Sequence, residues 1–246
     1  MASRQRSRWR RRILWSLLAV LTAGAGLYAL LRRRSPYPLS GRAAMPESLP
    51  SWWESPPPLT EREVAFQRWL AAVTSGLPRE RWSDHWNVGG GQYGVFSIRY
   101  QAAFAGYAAA ALGMRTPAYP AAARRILESS VDHLVDRSAW RYIASYWGST
   151  PWFPDPCAHE NVMYTGHLLQ LMALHEALSG DRRYRDAGVE LVWDETHGYR
   201  YTTLSLAEVT VAQMRANPSG GVPCEPGLIF FPCNNHPHVA LRLLEG

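Results

Sequence analysis

Cys224 and Cys233 are the residues of this chain best suited to proton chemistry. They stand nine positions apart, each beside a proline (Pro223 and Pro232), with Glu225-Pro226 after the first and Asn234-Asn235 after the second. The apolar stretch Leu228 to Phe231 lies between them. This composition predicts a loop over 220–233, neither helix nor ordinary strand. A free thiol titrates at about 8.5, so modest tuning lets one member of a pair give a proton while the other accepts one or attacks. Three other arrangements fit the same residues: two buried thiols, a disulfide in an oxidising compartment, or a zinc site completed by His159 or His167. The third cysteine, Cys157, makes no CxxC pair, so neither a disulfide scaffold nor a spaced zinc framework is indicated.

His167 is the second residue of interest. It lies four residues after Met163 and four before Leu171, which puts all three on one face of a helix. On that apolar face it is either a core histidine bonded to a neighbouring carbonyl or an acid/base in an apolar pocket approached past Met163.

These residues need elements to hold them. The pattern predicts a helix over 160–178, stopped by Gly180, to carry Met163 and His167. Before it, Thr60 and Glu63 form a capping box at the head of a first helix, and 95–112 reads as a helix of small residues ending at Gly113. Pro120 sits where a first turn tolerates it, ahead of the stripe Ile126, Leu127, Val131, Leu134 and Val135. Leu191-Val192-Trp193 and Tyr199-Arg200-Tyr201-Thr202 flank a turn around His197-Gly198 as a hairpin. A helix over 204–216 and a short last helix complete the set.

The N-terminus has a different character. Residues 13–31 are a run of 19 uncharged residues, close to the roughly 20 that cross a bilayer core. Six arginines precede it and three follow. A cleaved signal peptide is the competing reading, through Ala23-Gly24-Ala25, but the run continues to Leu31, which favours an uncleaved single-pass anchor. The larger arginine cluster on the N-terminal side predicts a cytoplasmic N-terminus and a domain on the exoplasmic side. Residues 35–59 are proline-rich and read as a spacer, leaving 60–246 as one helical domain. The net charge of +6 belongs to the anchor: without its nine arginines, 17 basic residues face 20 acidic ones. The domain is mildly acidic, which argues against nucleic acid as a partner.

Several motifs together resemble the linalool dehydratase/isomerase family over about residues 95–246. They are Asn161-Val162-Met163-Tyr164-Thr165-Gly166-His167-Leu168, Ser179-Gly180-Asp181-Arg182-Arg183-Tyr184, Ala216-Asn217-Pro218, Cys224-Glu225-Pro226 and Cys233-Asn234. Ile98-Arg99-Tyr100 and Gly106-Tyr107 fit an earlier tyrosine-bearing helix more loosely. The resemblance implies an all-α (α/α)6 toroid and a lyase/isomerase that needs no cofactor or metal. It would act on a small apolar, terpene-type alcohol or alkene. By motif, Cys224 and Cys233 match the active-site cysteines, His167 the pocket histidine, Tyr100 a pocket tyrosine and Met163 a lining residue, with Glu225 following the first cysteine. The family also uses an upstream aspartate and tyrosine, for which Asp84 and Tyr93 are the residues on offer, at a different spacing. Its sites lie between subunits of a ring, so a homo-oligomer is expected. The toroid needs about a dozen helices and this chain supplies roughly seven or eight, so an incomplete ring is expected, with one transmembrane helix and a small β-hairpin. Two other functions remain open on the residues: a saccharide-active toroid using carboxylates such as Asp155 and Glu160, and an inactive binding scaffold with tryptophan-rich loops.

Overall fold

A computed structural model describes residues 55–86 and 97–245. The 13–31 run, most of the proline-rich spacer and Tyr93 lie outside the described residues. Helix α1 (Glu61–Val73) starts on the expected capping box: Thr60 accepts from the Glu63 amide while the Glu63 carboxylate takes the Thr60 amide at 2.7 Å. A 3-10 turn follows at Arg79–Asp84. Then come α2 (Ser97–Met114), α3 (Pro120–Val135), the short α4 (Arg137–Trp140) and α5 (Ile143–Trp147). Helices α6 (Val162–Ser179) and α7 (Arg183–Asp186) precede a hairpin of β1 (Val189–Val192) and β2 (Gly198–Tyr201), antiparallel with Val189 opposite Tyr201. Helices α8 (Thr203–Ala216) and α9 (Phe231–Leu244) follow.

The sequence patterns account for the longer helices and the hairpin, whereas the short helices α4, α5 and α7 and the 3-10 turn are not among the expected elements. Helix α6 is apolar all round and therefore central. It packs against α9 most extensively, and also against α2, α3 and α8. Leu168, Leu169 and Leu171 are fully buried on it. Each such side chain removed from water contributes on the order of 2 kcal/mol before entropy is subtracted. Close approach relies on glycine. A Cβ at Gly106 would collide with Leu171 Cδ2, and one at Gly166 would meet Pro237 Cδ at 2.8 Å. The last residues of the expected spacer dock on the helices, because Arg115 donates to the carbonyls of Pro57 and Pro58, each at 2.9 Å.

One expectation is corrected. The loop expected through Cys233 ends earlier, since α9 begins at Phe231 and takes Cys233 into its first turn. Pro232 does not block this, because an N–H in the first turn has no helical partner to lose. Pro237 sits inside the same helix, where its missing N–H leaves one ladder bond unmade. Nine α-helices occur among the described residues, against about a dozen in a closed ring. No helix among the described residues is long and apolar enough to cross a membrane.

Candidate active site

The segment 222–234 brings the two cysteines together. Leu228 accepts from the Cys224 amide at 2.8 Å and donates its own amide to Glu225 at 2.9 Å, which closes a tight turn. Gly227 takes φ +68 within it, a left-handed conformation that suits glycine. Asn234 then clamps the two ends of the segment: its Oδ1 accepts from the Val222 amide at 2.8 Å, and its Nδ2 donates to the carbonyls of Val222 and Phe230. The Pro223 carbonyl accepts from the Val162 amide at 3.1 Å, tying the segment to the head of α6. The result is a Cys224 Sγ to Cys233 Sγ distance of 3.0 Å between free thiols, with Cys224 donating.

Their surroundings separate their acidities. Cys224 is buried, and its bond to Cys233 together with burial pushes it far above the ordinary thiol range. Cys233 is drawn down to about 7, first by accepting that bond and further by the Arg99 charge, against the opposing effect of burial. Its place in the first turn of α9, where free N–H groups converge, acts in the same direction. Glu225 raises both thiols through its negative charge.

Around the pair lie the residues expected from the sequence. Val162, Met163, Met214, Val222 and Cys224 form a buried apolar cluster, with Tyr100, Cys233 and Leu241 packed on it. Tyr100 donates to the Met163 sulfur, and Arg99 Nη2 approaches the same sulfur at 2.9 Å. The Arg99 guanidinium lies 4.8 Å over the Tyr100 ring and 4.3 Å over that of Tyr142. Tyr142 in turn donates to Asn161 Oδ1 at 2.5 Å, and Asn161 Nδ2 donates to the Pro156 carbonyl. Glu160 and Asn161 both adopt positive φ, an uncommon conformation for non-glycine residues, immediately before α6. His167 is buried, with its ring edge-on to Tyr100 at 5.7 Å. Its Nδ1 pairs with the Tyr107 hydroxyl at 2.7 Å, so it is not the carbonyl-bonded core histidine of the plainer reading. Burial holds it well below the ordinary histidine range, so it is neutral near neutral pH, and His236 and Arg99 add to the effect.

Asp84 lies apart from this group. It is exposed at the end of the 3-10 turn and pairs with Arg81 at 2.8 Å. Asp155 and Glu160 are committed to internal partners: Asp155 to the Tyr201 hydroxyl and the Cys157 amide, Glu160 to Trp147 Nε1 at 2.7 Å and the Gly227 amide. The zinc arrangement finds no support in the geometry. Among the described residues the clustered ligating side chains are Glu128, His175 and Asp181, away from both thiols, and Arg183 bonds both carboxylates there. A cleft of about 500 Å³ opens between α8 and residues 158–160 and is bordered by Pro223, but neither thiol nor His167 lines it.

Arg99, Tyr107, Gln170 and His236 join the site without having been expected there from the sequence. Tyr107 follows Tyr100 by seven positions, and His236 follows Cys233 by three, so both spacings carry a helical signal. Gln170 and Arg99 carry none that distinguishes them from surface residues. The sequence model of the linalool dehydratase/isomerase family matches residues 99–245.

Proposed function

Because the chain belongs to the linalool dehydratase/isomerase family, we propose that it removes, adds or shifts the hydroxyl of a small apolar allylic alcohol by thiol acid/base chemistry. The observation that carries this reading is the pair of sulfurs 3.0 Å apart with opposed acidities. Cys224, kept protonated, is the acid: it gives its proton to the hydroxyl oxygen as the C–O bond breaks and water leaves. Cys233, ionised near neutrality, is the base: it takes a proton from the carbon beside the electron-poor centre, and a double bond forms. The proton gained by Cys233 then crosses the short S–S contact to Cys224, which restores the starting state. Hydration is the same sequence reversed. Re-addition of water at the other end of the allylic system moves the hydroxyl.

The apolar cluster restrains premature capture of the cationic centre by bulk water. Tyr100 and His167 orient the hydroxyl, and Met163 and Glu225 border the substrate. Asp84 would have to join from outside this cluster, which is consistent with a site completed in a homo-oligomer. The packing of α2 on α3 and of α6 on α9 supports an arc of an α/α toroid. The uncharged run 13–31 supports a single-pass anchor, beside the phase into which such substrates partition, and the larger arginine cluster before it supports a domain on the exoplasmic side.

The test uses the full chain with linalool as probe and follows loss of water by gas chromatography. Cys224→Ala and Cys233→Ala should each reduce turnover by about 100-fold or more while leaving the circular-dichroism melt unchanged. Full activity in both variants overturns the proposal.

A further inference from the structure

Tyr107, His236 and Gln170 link α2, α9 and α6 behind His167, and nothing in the reaction just described employs them. Gln170 Oε1 lies 2.8 Å from His236 Nδ1. The Tyr107 oxygen lies 3.4 Å from that same Nδ1 and 2.7 Å from His167 Nδ1. The imidazoles of His167 and His236 are in contact, with centroids 4.0 Å apart, and Tyr107 stacks on His236 at 5.6 Å. Burial holds both histidines below the ordinary range, so each is neutral and carries one proton. Burial likewise raises Tyr107, which keeps its O–H.

Proton placement then follows from donor and acceptor rules. An amide oxygen can only accept, so His236 carries its proton on Nδ1 and gives it to Gln170. That same N–H leans towards the Tyr107 oxygen, which can accept it. The single Tyr107 proton is therefore available for its shorter contact, and it goes to His167 Nδ1. A neutral histidine that accepts at Nδ1 must carry its proton on Nε2. The bond to Tyr107 engages Nδ1, which leaves Nε2 as the ring nitrogen that faces a ligand. We infer that Tyr107, His236 and Gln170 are positioning residues that hold His167 as the Nε2–H tautomer, so that it presents a hydrogen-bond donor to a ligand oxygen instead of a base.

The donor's use on a substrate hydroxyl rests on the proposed function, whereas the tautomer exists without substrate and is measured without it. Full-length protein in detergent, ¹⁵N-labelled at histidine, gives the answer through long-range ¹H–¹⁵N correlation, with His167→Asn assigning the ring. The expected spectrum has a pyridine-like Nδ1 and a pyrrole-like Nε2 at His167 at pH 7. Gln170→Leu removes the acceptor that orders His236, and should convert this pattern into an average of both tautomers. Gln170→Glu retains an acceptor and should restore it. Gln170 is only half-buried, so these variants are expected to fold even where Tyr107→Phe does not. A pyrrole-like Nδ1 in the parent protein overturns the inference, as does a Gln170→Leu spectrum identical to the parent's. Loss of turnover without a tautomer change would refute the relay while leaving the thiol chemistry intact.

Discussion

Replacing Cys224 by alanine removes the S–H that stabilises the Cys233 thiolate, and the consequence can be read as the rate at which Cys233 is alkylated. With that bond in place Cys233 titrates at about 7 rather than at 9.0, the upper end of the ordinary thiol range, and the bond is the largest cause of the difference. At pH 7 the thiol is therefore roughly half ionised, whereas a thiol at its ordinary value is ionised to about one part in a hundred. The ratio of thiolate is about fifty-fold. Thiolates of higher pKa are intrinsically more nucleophilic, and a Brønsted slope of about 0.4–0.5 returns roughly six- to ten-fold of that. Cys224→Ala should then slow iodoacetamide capture at Cys233 by about five- to eight-fold at pH 7, and raise the alkaline plateau by roughly six- to ten-fold. The midpoint of the rate–pH curve should move from about 7 towards 9. Peptide mapping by mass spectrometry separates the sites, and the wholly buried Cys157 should stay unlabelled. An unchanged midpoint in Cys224→Ala would show that Arg99 or the start of α9, and not the neighbouring thiol, sets the acidity of Cys233.

Two further outcomes concern stability. His133 is buried against Trp82 at 3.5 Å and Trp86 at 4.8 Å, and its Nδ1 donates to the Ser129 carbonyl. Burial lowers it from 6.5 to about 4, so between these values the unfolded chain binds the extra proton. Its contribution is complete above about 6.5 and is lost as pH falls to about 4, by roughly 3 kcal/mol. Denaturant titrations of His133→Phe should show a correspondingly flatter acid limb, and an unchanged slope would remove His133 as the cause. At Gly166, alanine brings a Cβ to 2.8 Å from Pro237 Cδ and 3.3 Å from His236 Cβ. This should force α9 off α6 at a cost of about 1–3 kcal/mol in the same titrations. A neutral result would mean that Pro237 yields without loss.

Local signals in the chain suffice for most elements but not for the way they meet. The Thr60–Glu63 box, Pro120 at a helix start and Gly180 at a helix end are short-range devices, and each appears where its chemistry places it. The start of α9 escapes a sequence reading because prolines and cysteines look like loop, although a first turn tolerates Pro232 and Asn234 closes back on Phe230. Motif order singles out Cys224, Cys233, Met163, Tyr100 and His167, and the structure sets them side by side. The meeting of Tyr107, His236 and Gln170 is not legible there: helical spacing sets Tyr107 with Tyr100 and His236 with Cys233, but it does not show that three separate helices bring these side chains together. Asp84 rests on residue type alone, and the structure gives it a surface partner in Arg81.

The Asn234 clamp has a consequence for inheritance. Both sulfurs, the turn that aims the first and the amide that fixes the second belong to one contiguous stretch of chain, 222–234. The spacing of the two sulfurs is thus settled within a segment shorter than most of the long helices around it, which the scaffold holds through Val162 and Glu160. Lineages could gain or lose outlying helices without disturbing the sulfur-to-sulfur distance. Selection on the distance between the sulfurs would then act on this one stretch of the gene, whereas Tyr100, Met163 and His167 are held by the surrounding helices.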